Sequence, residues 1–176
     1  FELTGAQKRC IGEIAGDLSG NRAMNRLLQG DVGSGKTAVA AAAVYMAWKN
    51  GHQSAVMAPT EVLAEQHAET FRSFLEPLGI TVGLLTGSGK GEARRILLEQ
   101  TASGGAELIV GTHAVISEGV AFRDLDLVIT DEQHRFGVAQ RAMLGRKGYA
   151  PHLPHTFQKG HCPAQYGQYH GHAFCG

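Results

Sequence analysis

The chain has few of the features that mark an exported, membrane-bound or strongly charged protein. Its three cysteines, Cys10, Cys162 and Cys175, make no disulfide framework in 176 residues and fit a reducing, cytoplasmic setting. Sixteen basic and sixteen acidic residues give a formal net charge of zero. No broad basic face is therefore on offer, and any contact with nucleic acid has to come from local groups. The longest apolar run, Ala38 to Trp48, falls well short of the roughly 20 residues that cross a bilayer. Phe1-Glu2-Leu3-Thr4 lacks the basic region and apolar stretch of a signal peptide. The hydrophobic share of 43% suits one domain with a real core.

The most informative stretch is Gly30-Asp31-Val32-Gly33-Ser34-Gly35-Lys36-Thr37, set between the apolar pair Leu27-Leu28 and the alanine-rich run from Ala38. Glycines open backbone angles closed to other residues, so successive N–H groups can wrap a phosphate. The helix that follows offers its N-terminal N–H groups and dipole to the same anion. Gly33, Ser34, Gly35, Lys36 and Thr37 are thus candidate nucleotide ligands, with Lys36 aimed at the β- and γ-phosphates and the Thr37 hydroxyl at a Mg²⁺ ion. ATP or GTP is the expected ligand. A bare glycine turn before a helix is the plainer alternative.

Along the chain, helical and extended segments alternate. Thr4 to about Leu18 reads as a helix opened by a Thr4/Gln7 capping box. A strand at Arg26–Gln29 leads into the phosphate loop, whose helix runs to about Asn50. Ser54–Ala58 is a buried strand ended by Pro59, and Glu61 to about Leu75 a helix with Leu63, His67, Thr70, Phe71, Phe74 and Leu78 near one face. On that face His67 is expected to pack. Ile80–Leu85, Leu108–Val110 and Leu125–Thr130 are further strands, and Glu92 to about Thr101 another helix. Gly89-Lys90 imitates the end of a phosphate loop, but Leu84 stands where the leading glycine belongs and Gly91 where Ser or Thr belongs. The alternation predicts an α/β fold with a mainly parallel sheet flanked by helices. In such sheets ligands gather at the carboxyl ends of the strands, where Gly30–Thr37, Pro59-Thr60, Thr86-Gly87, Thr112-His113 and Asp131–His134 all fall.

Asp131 and Glu132 close the last of these strands. Asp131 can fix the Mg²⁺ opposite Thr37, and Glu132 can orient a water against the γ-phosphate. Two acids at a helix start are also favoured by the helix dipole alone.

Taken together, GDVGSGKT, APTEVLAEQH (Ala58–His67), GTHA (Gly111–Ala114) and above all DEQHRFGV (Asp131–Val138) resemble the first motor domain, of RecA-like fold, in RecG-type ATP-dependent DNA helicases of superfamily 2. The resemblance covers residues 1–152. The transcription-repair coupling translocase has a similar motor, and DEQH in place of DEEH favours the RecG type. The resemblance implies that Gln7 contacts the adenine edge and so selects ATP. It implies that Thr60, Glu61, Thr86, Gly87, Thr112 and His113 lie along the DNA backbone, gripping phosphate with hydroxyls and backbone N–H groups. It also implies that His134, with Arg135 and Phe136, couples the γ-phosphate to those segments. Branched DNA, a second RecA-like lobe and a wedge domain are the implied partners, the last two expected outside these residues. Thr60 and Thr112 are good helix caps as well, which leaves them a second explanation.

From Leu153 to Gly176 the sequence departs from the family. An apolar strand and a Thr-Ala-Thr type segment are expected, and a glycine-rich stretch with His161, Cys162, His170, His172 and Cys175 stands there instead. Residues 153–176 are accordingly read as a disordered tail outside the fold, the product of a shifted reading frame or an assembly error. Zinc binding is the other reading, although the spacing matches no standard finger. Two further functions stay open beside the motor: a nucleotide-binding module without motor activity, and a different phosphate-loop enzyme such as a small-molecule kinase.

Overall fold

The structure, a computed structural model, describes residues 2–19, 24–30, 33–89, 91–117 and 119–131, together with the backbone of 156–159 and 171–174. Within these bounds the elements run α1 (Gly5–Leu18), β1 (Asn25–Gln29), α2 (Lys36–Lys49), β2 (Gln53–Met57), α3 (Glu61–Leu75), β3 (Val82–Leu85), α4 (Glu92–Ser103), β4 (Leu108–Gly111), β5 (Leu125–Thr130), β6 (Thr156–Lys159) and β7 (Gly171–Phe174). The strands form one sheet in the order β3-β4-β2-β5-β6-β1-β7. All pairings are parallel except those of β6, which runs antiparallel to both β5 and β1. The expected mainly parallel sheet flanked by helices is the fold observed.

The period of two along the strands sorts their side chains onto two faces. Val56, Leu108, Val110, Leu127 and Ile129 pack with α1, α2 and α3 in one cluster, while Ala55, Met57, Ile109 and Val128 pack with Leu97 and Leu98 of α4 in the other. The first is the larger, because α2 is buried almost all round through Val39, Ala40, Ala41, Ala43, Val44 and Ala47. On α3 the buried stripe is Ala64, Ala68, Phe71 and Leu75. It is turned by one residue from the stripe expected through Leu63 and His67. Burying Phe71 alone stabilises the fold by roughly 1.5–3 kcal/mol.

Where the parallel strands start, one side chain joins the last turn of α4 to the connections before β4 and β5. Gln53, 1% exposed, donates through Nε2 to the carbonyls of Thr101 (2.9 Å) and Ala106 (2.7 Å). Its Oε1 accepts from the N–H groups of Arg123 (2.8 Å) and Asp124 (3.0 Å). A side-chain amide has two donors and two acceptor sites, so the bonding capacity is used in full.

Two stretches of the segment after Leu153, expected outside the fold, run as β6 and β7 against the two edges of β1. A lone strand presents unsatisfied N–H and C=O groups along both edges, and extended backbone of almost any composition can pair with them. The pairings are a matter of backbone, which residue periodicity does not register.

Candidate active site

The phosphate loop turns on two glycines in the left-handed region, Gly33 (φ 84°) and Gly35 (φ 77°), the second being the N-cap of α2. The N–H groups of Ala38 and Val39 both reach back to the Gly35 carbonyl, at 3.0 and 3.4 Å. The first turn of α2 carries no acidic side chain, so its positive dipole end is not neutralised from within. Lys36 Nζ donates to the Gly30 carbonyl at 2.8 Å, closing the loop on itself and holding the ammonium at its rim. Ser34 Oγ is buried with no hydrogen-bond partner among the described residues. An orphaned hydroxyl of this kind costs about 1–3 kcal/mol, a cost that a ligand in the loop can remove.

Gln7 sits against this loop. The capping box of α1 is present as expected: Gln7 N–H donates to Thr4 Oγ1 at 3.2 Å and Gln7 Oε1 accepts from Thr4 N–H at 2.9 Å. The same side chain also donates through Nε2 to the Ser34 carbonyl at 2.9 Å. These bonds use one donor and one acceptor site of its amide, leaving the capacity of one N–H and one lone pair for a base edge. Capping and nucleotide contact are therefore not exclusive. Gly35 permits the approach, since a Cβ there would lie 2.2 Å from Gln7 Nε2. Arg26 on β1 ion-pairs with Glu13 and Asp17 of α1, which holds that helix in place.

Strand register relates this loop to the acidic end of β5. Leu27 is level with Thr156, and Thr156 with Thr130, so β1 and β5 run two strand spacings apart, about 9–10 Å, with β1 continuing two residues beyond that level to Gln29. Both chains leave the sheet at that rim, Gly30 after β1 and Asp131 after β5. Asp131 N–H donates to the Met57 carbonyl at 2.9 Å. Its carboxylate Oδ2 lies 2.8 Å from His67 Nε2 of α3, with the two side chains 28% and 23% exposed. His67, expected to pack on an apolar face, thus also pairs with the aspartate at the end of β5. Glu132, His134, Arg135 and Phe136 lie outside the described residues, as do the tail positions His161, Cys162, His170 and Cys175 and the side chain of His172.

The segments expected along DNA divide by chemistry. Thr60 caps α3, its Oγ1 accepting from Leu63 N–H at 3.3 Å. Glu61 carboxylate accepts from the Ser88 N–H (2.9 Å) and Ser88 hydroxyl (2.6 Å). The Ser88 hydroxyl, then its backbone N–H and that of Gly87, hold the Glu61 carboxyl below its ordinary range. Thr86 Oγ1 is 3.2 Å from Ser88 Oγ, and its carbonyl accepts from Arg94 at 3.1 Å. Glu61, Thr86 and Gly87 are therefore one joined cluster, in which Glu61 organises the 86–88 turn. Thr112 is buried and precedes a short 3₁₀ turn at His113–Ile116 without capping it; its Oγ1 has no hydrogen-bond partner among the described residues. His113 is exposed beside it. Gly111 is required here, because a Cβ would meet the Leu85 carbonyl oxygen at 1.9 Å. Among the described residues no helix is long and apolar enough to cross a membrane.

A phosphate loop and a strand-end aspartate on one mainly parallel sheet mark a phosphate-loop nucleotide-binding domain, and residues 4–148 match the DEAD/DEAH box helicase model; the chain belongs to that family. Within it, the chain is similar to the ATP-dependent DNA helicase RecG of Bacillus subtilis, at 57% identity over 151 residues, 86% of this chain and 22% of that protein. RecG of Escherichia coli K12 is likewise 57% identical, over 148 residues, 84% of this chain and 21% of that protein. A solved structure of RecG bound to a three-way DNA junction superposes with a TM-score of 0.73 at 44% identity, covering 78% of this chain and 19% of that one. The chain spans about a fifth of the length of the curated relatives it matches.

Proposed function

We propose that this chain is the first RecA-like motor lobe of a RecG-type ATP-dependent DNA helicase, which in its whole length remodels branched DNA such as replication forks and four-way junctions in a cytoplasmic setting. The observation that carries the reading is the convergence of the Lys36 loop and Asp131 on one rim of the sheet, two strand spacings apart, in a chain 57% identical to RecG proteins. A transcription-repair coupling motor shares most of these features, and the RecG relatives weigh against it.

Gly33, Ser34, Gly35, Lys36 and Thr37 bind the triphosphate, and Gln7 reads the adenine edge with its remaining N–H and lone pair. The donors fit a nucleotide: left-handed glycines, an orphaned Ser34 hydroxyl and an α2 N-terminus without internal acid. Mg²⁺ suits the hydroxyl of Thr37 and the carboxylate of Asp131 and supplies charge neutralisation on the phosphate oxygens. Lys36 leaves the Gly30 carbonyl for the β- and γ-phosphates. Glu132 takes the proton of the attacking water, and His134 relays the γ-phosphate's presence to the DNA-facing segments. Thr60, the 86–88 turn and Thr112-His113 hold the sugar-phosphate backbone through hydroxyl and N–H donors, a mode that needs little net charge. Arginines of the second RecA-like lobe stabilise the charge that builds on the transferring phosphate, and removing such a group costs roughly 10³–10⁵ in rate. The chain alone therefore binds ATP and turns it over very slowly.

A fluorescent ATP analogue titrated into the chain tests the first half. Lys36→Ala should weaken binding at least about tenfold, the equivalent of 1.4 kcal/mol, and equal affinity in the two would refute the site. For the second half, the protein containing both lobes should show ATPase stimulated by a three-way junction more than by linear duplex.

A further inference from the structure

The least expected contact in the molecule joins residues 64 positions apart, His67 of α3 and Asp131 at the end of β5. We infer that His67 is a positioning residue that fixes the Asp131 carboxylate toward the nucleotide's metal, and that α3 thereby joins the phosphate rim to the DNA-facing turn. The inference rests on the motor reading of Asp131. Its own support is geometric. The two positions nearest His67 on the buried stripe, Ala64 and Ala68, are both 0% exposed, so the turn of helix bearing the imidazole is seated on its buried side. Asp131 is tied from the main chain by its N–H bond to Met57, and from the side chain by the ring at 2.8 Å. An Nε2–H directed at Oδ2 sets the rotation of the carboxylate about its Cβ–Cγ bond, as the outer partners of metal-bound carboxylates do. Seven residues earlier on the same helix, about 10 Å along its axis, Thr60 and Glu61 cap the helix and hold the 86–88 turn. One rigid rod therefore meets the candidate catalytic acid at one place and the candidate DNA grip at the other.

Two variants separate positioning from bulk. His67→Gln keeps an N–H donor at nearly the reach of the imidazole Nε2, whereas His67→Leu keeps volume and loses the donor. Binding of the fluorescent ATP analogue is measured with and without Mg²⁺, beside a thermal melt of each protein. In wild type Mg²⁺ should tighten binding. His67→Leu should lose about tenfold of that enhancement, as outer-partner substitutions do, while leaving the Mg²⁺-free affinity unchanged; His67→Gln should restore most of it. An undiminished Mg²⁺ effect in His67→Leu, or equal losses in both variants that follow their melting temperatures, would overturn the inference. Independently of nucleotide, a slowly exchanging imidazole Nε2–H should appear in the ¹⁵N-histidine spectrum of the wild type and vanish in Asp131→Ala. Its absence from the wild type would by itself overturn the inference. Should Lys36→Ala bind as well as wild type, the motor reading fails, and the contact then stands or falls on the ring proton alone.

Discussion

Replacing Gly35 by alanine tests how closely α1 and the phosphate loop share space. The residue sits at φ 77°, where an alanine costs about 1–2 kcal/mol. The new Cβ would stand 2.2 Å from Gln7 Nε2, so the amide has to withdraw from the Ser34 carbonyl it now meets at 2.9 Å. Losing that hydrogen bond adds about 0.5–1.5 kcal/mol. Gly35→Ala should therefore destabilise the chain by about 1.5–3.5 kcal/mol in the wild-type background. In a Gln7→Ala background the second contribution has already gone, and the penalty should fall to about 1–2 kcal/mol. Urea unfolding followed by circular dichroism, on all four members of the cycle, measures the difference as a coupling energy. An identical Gly35→Ala penalty in both backgrounds would refute the contact between Gln7 and the loop, whatever the absolute size of the effect.

Gln53→Leu should cost about 2–6 kcal/mol in thermal unfolding, since four bonds worth about 0.5–1.5 kcal/mol each disappear and two carbonyls and two N–H groups stay buried without them; a loss below about 1 kcal/mol would mean the four bonds are not all made. The turn at 86–88 should loosen in acid. Glu61 has a folded pKa below its ordinary 4.5, so its hold on the Ser88 N–H is complete above that value and lost as pH falls through the lower folded one. Hydrogen exchange at the Ser88 amide, corrected for the intrinsic rate, should show this loss in wild type and none in Glu61→Gln; a pH-independent wild type would contradict it.

The phosphate loop, the strand-end aspartate and the order of the elements were legible because each is a local pattern: glycines at fixed spacing, an apolar run closed by an acid, a capping box at Thr4 and Gln7. Contacts across long separations were not. His67 has the periodicity of a packed residue, yet the buried stripe of α3 runs through Ala64 and Ala68 and His67 meets Asp131. Alanine carries little weight in a hydrophobic pattern, yet here two alanines lie on the face that is buried. Gln53 likewise looks like a polar lapse at a strand's start until carbonyls at the end of α4 and after it, and N–H groups of the segment before β5, surround it. Glu61 is expected on DNA through its neighbours in the family motif; that its carboxylate also holds Ser88 is a contact that no spacing along the chain foretells.

The unequal division of the core between the two sides of the sheet has a thermodynamic corollary. Gln7, Lys36 and His67 ride on three helices whose apolar faces merge into a single cluster, so none of them can loosen without disturbing the other two. Saturation with ligand should accordingly register as collective stiffening of that whole half-shell, with α4 on the far side little affected. In such a molecule the reporter of occupancy is a layer, and not a residue.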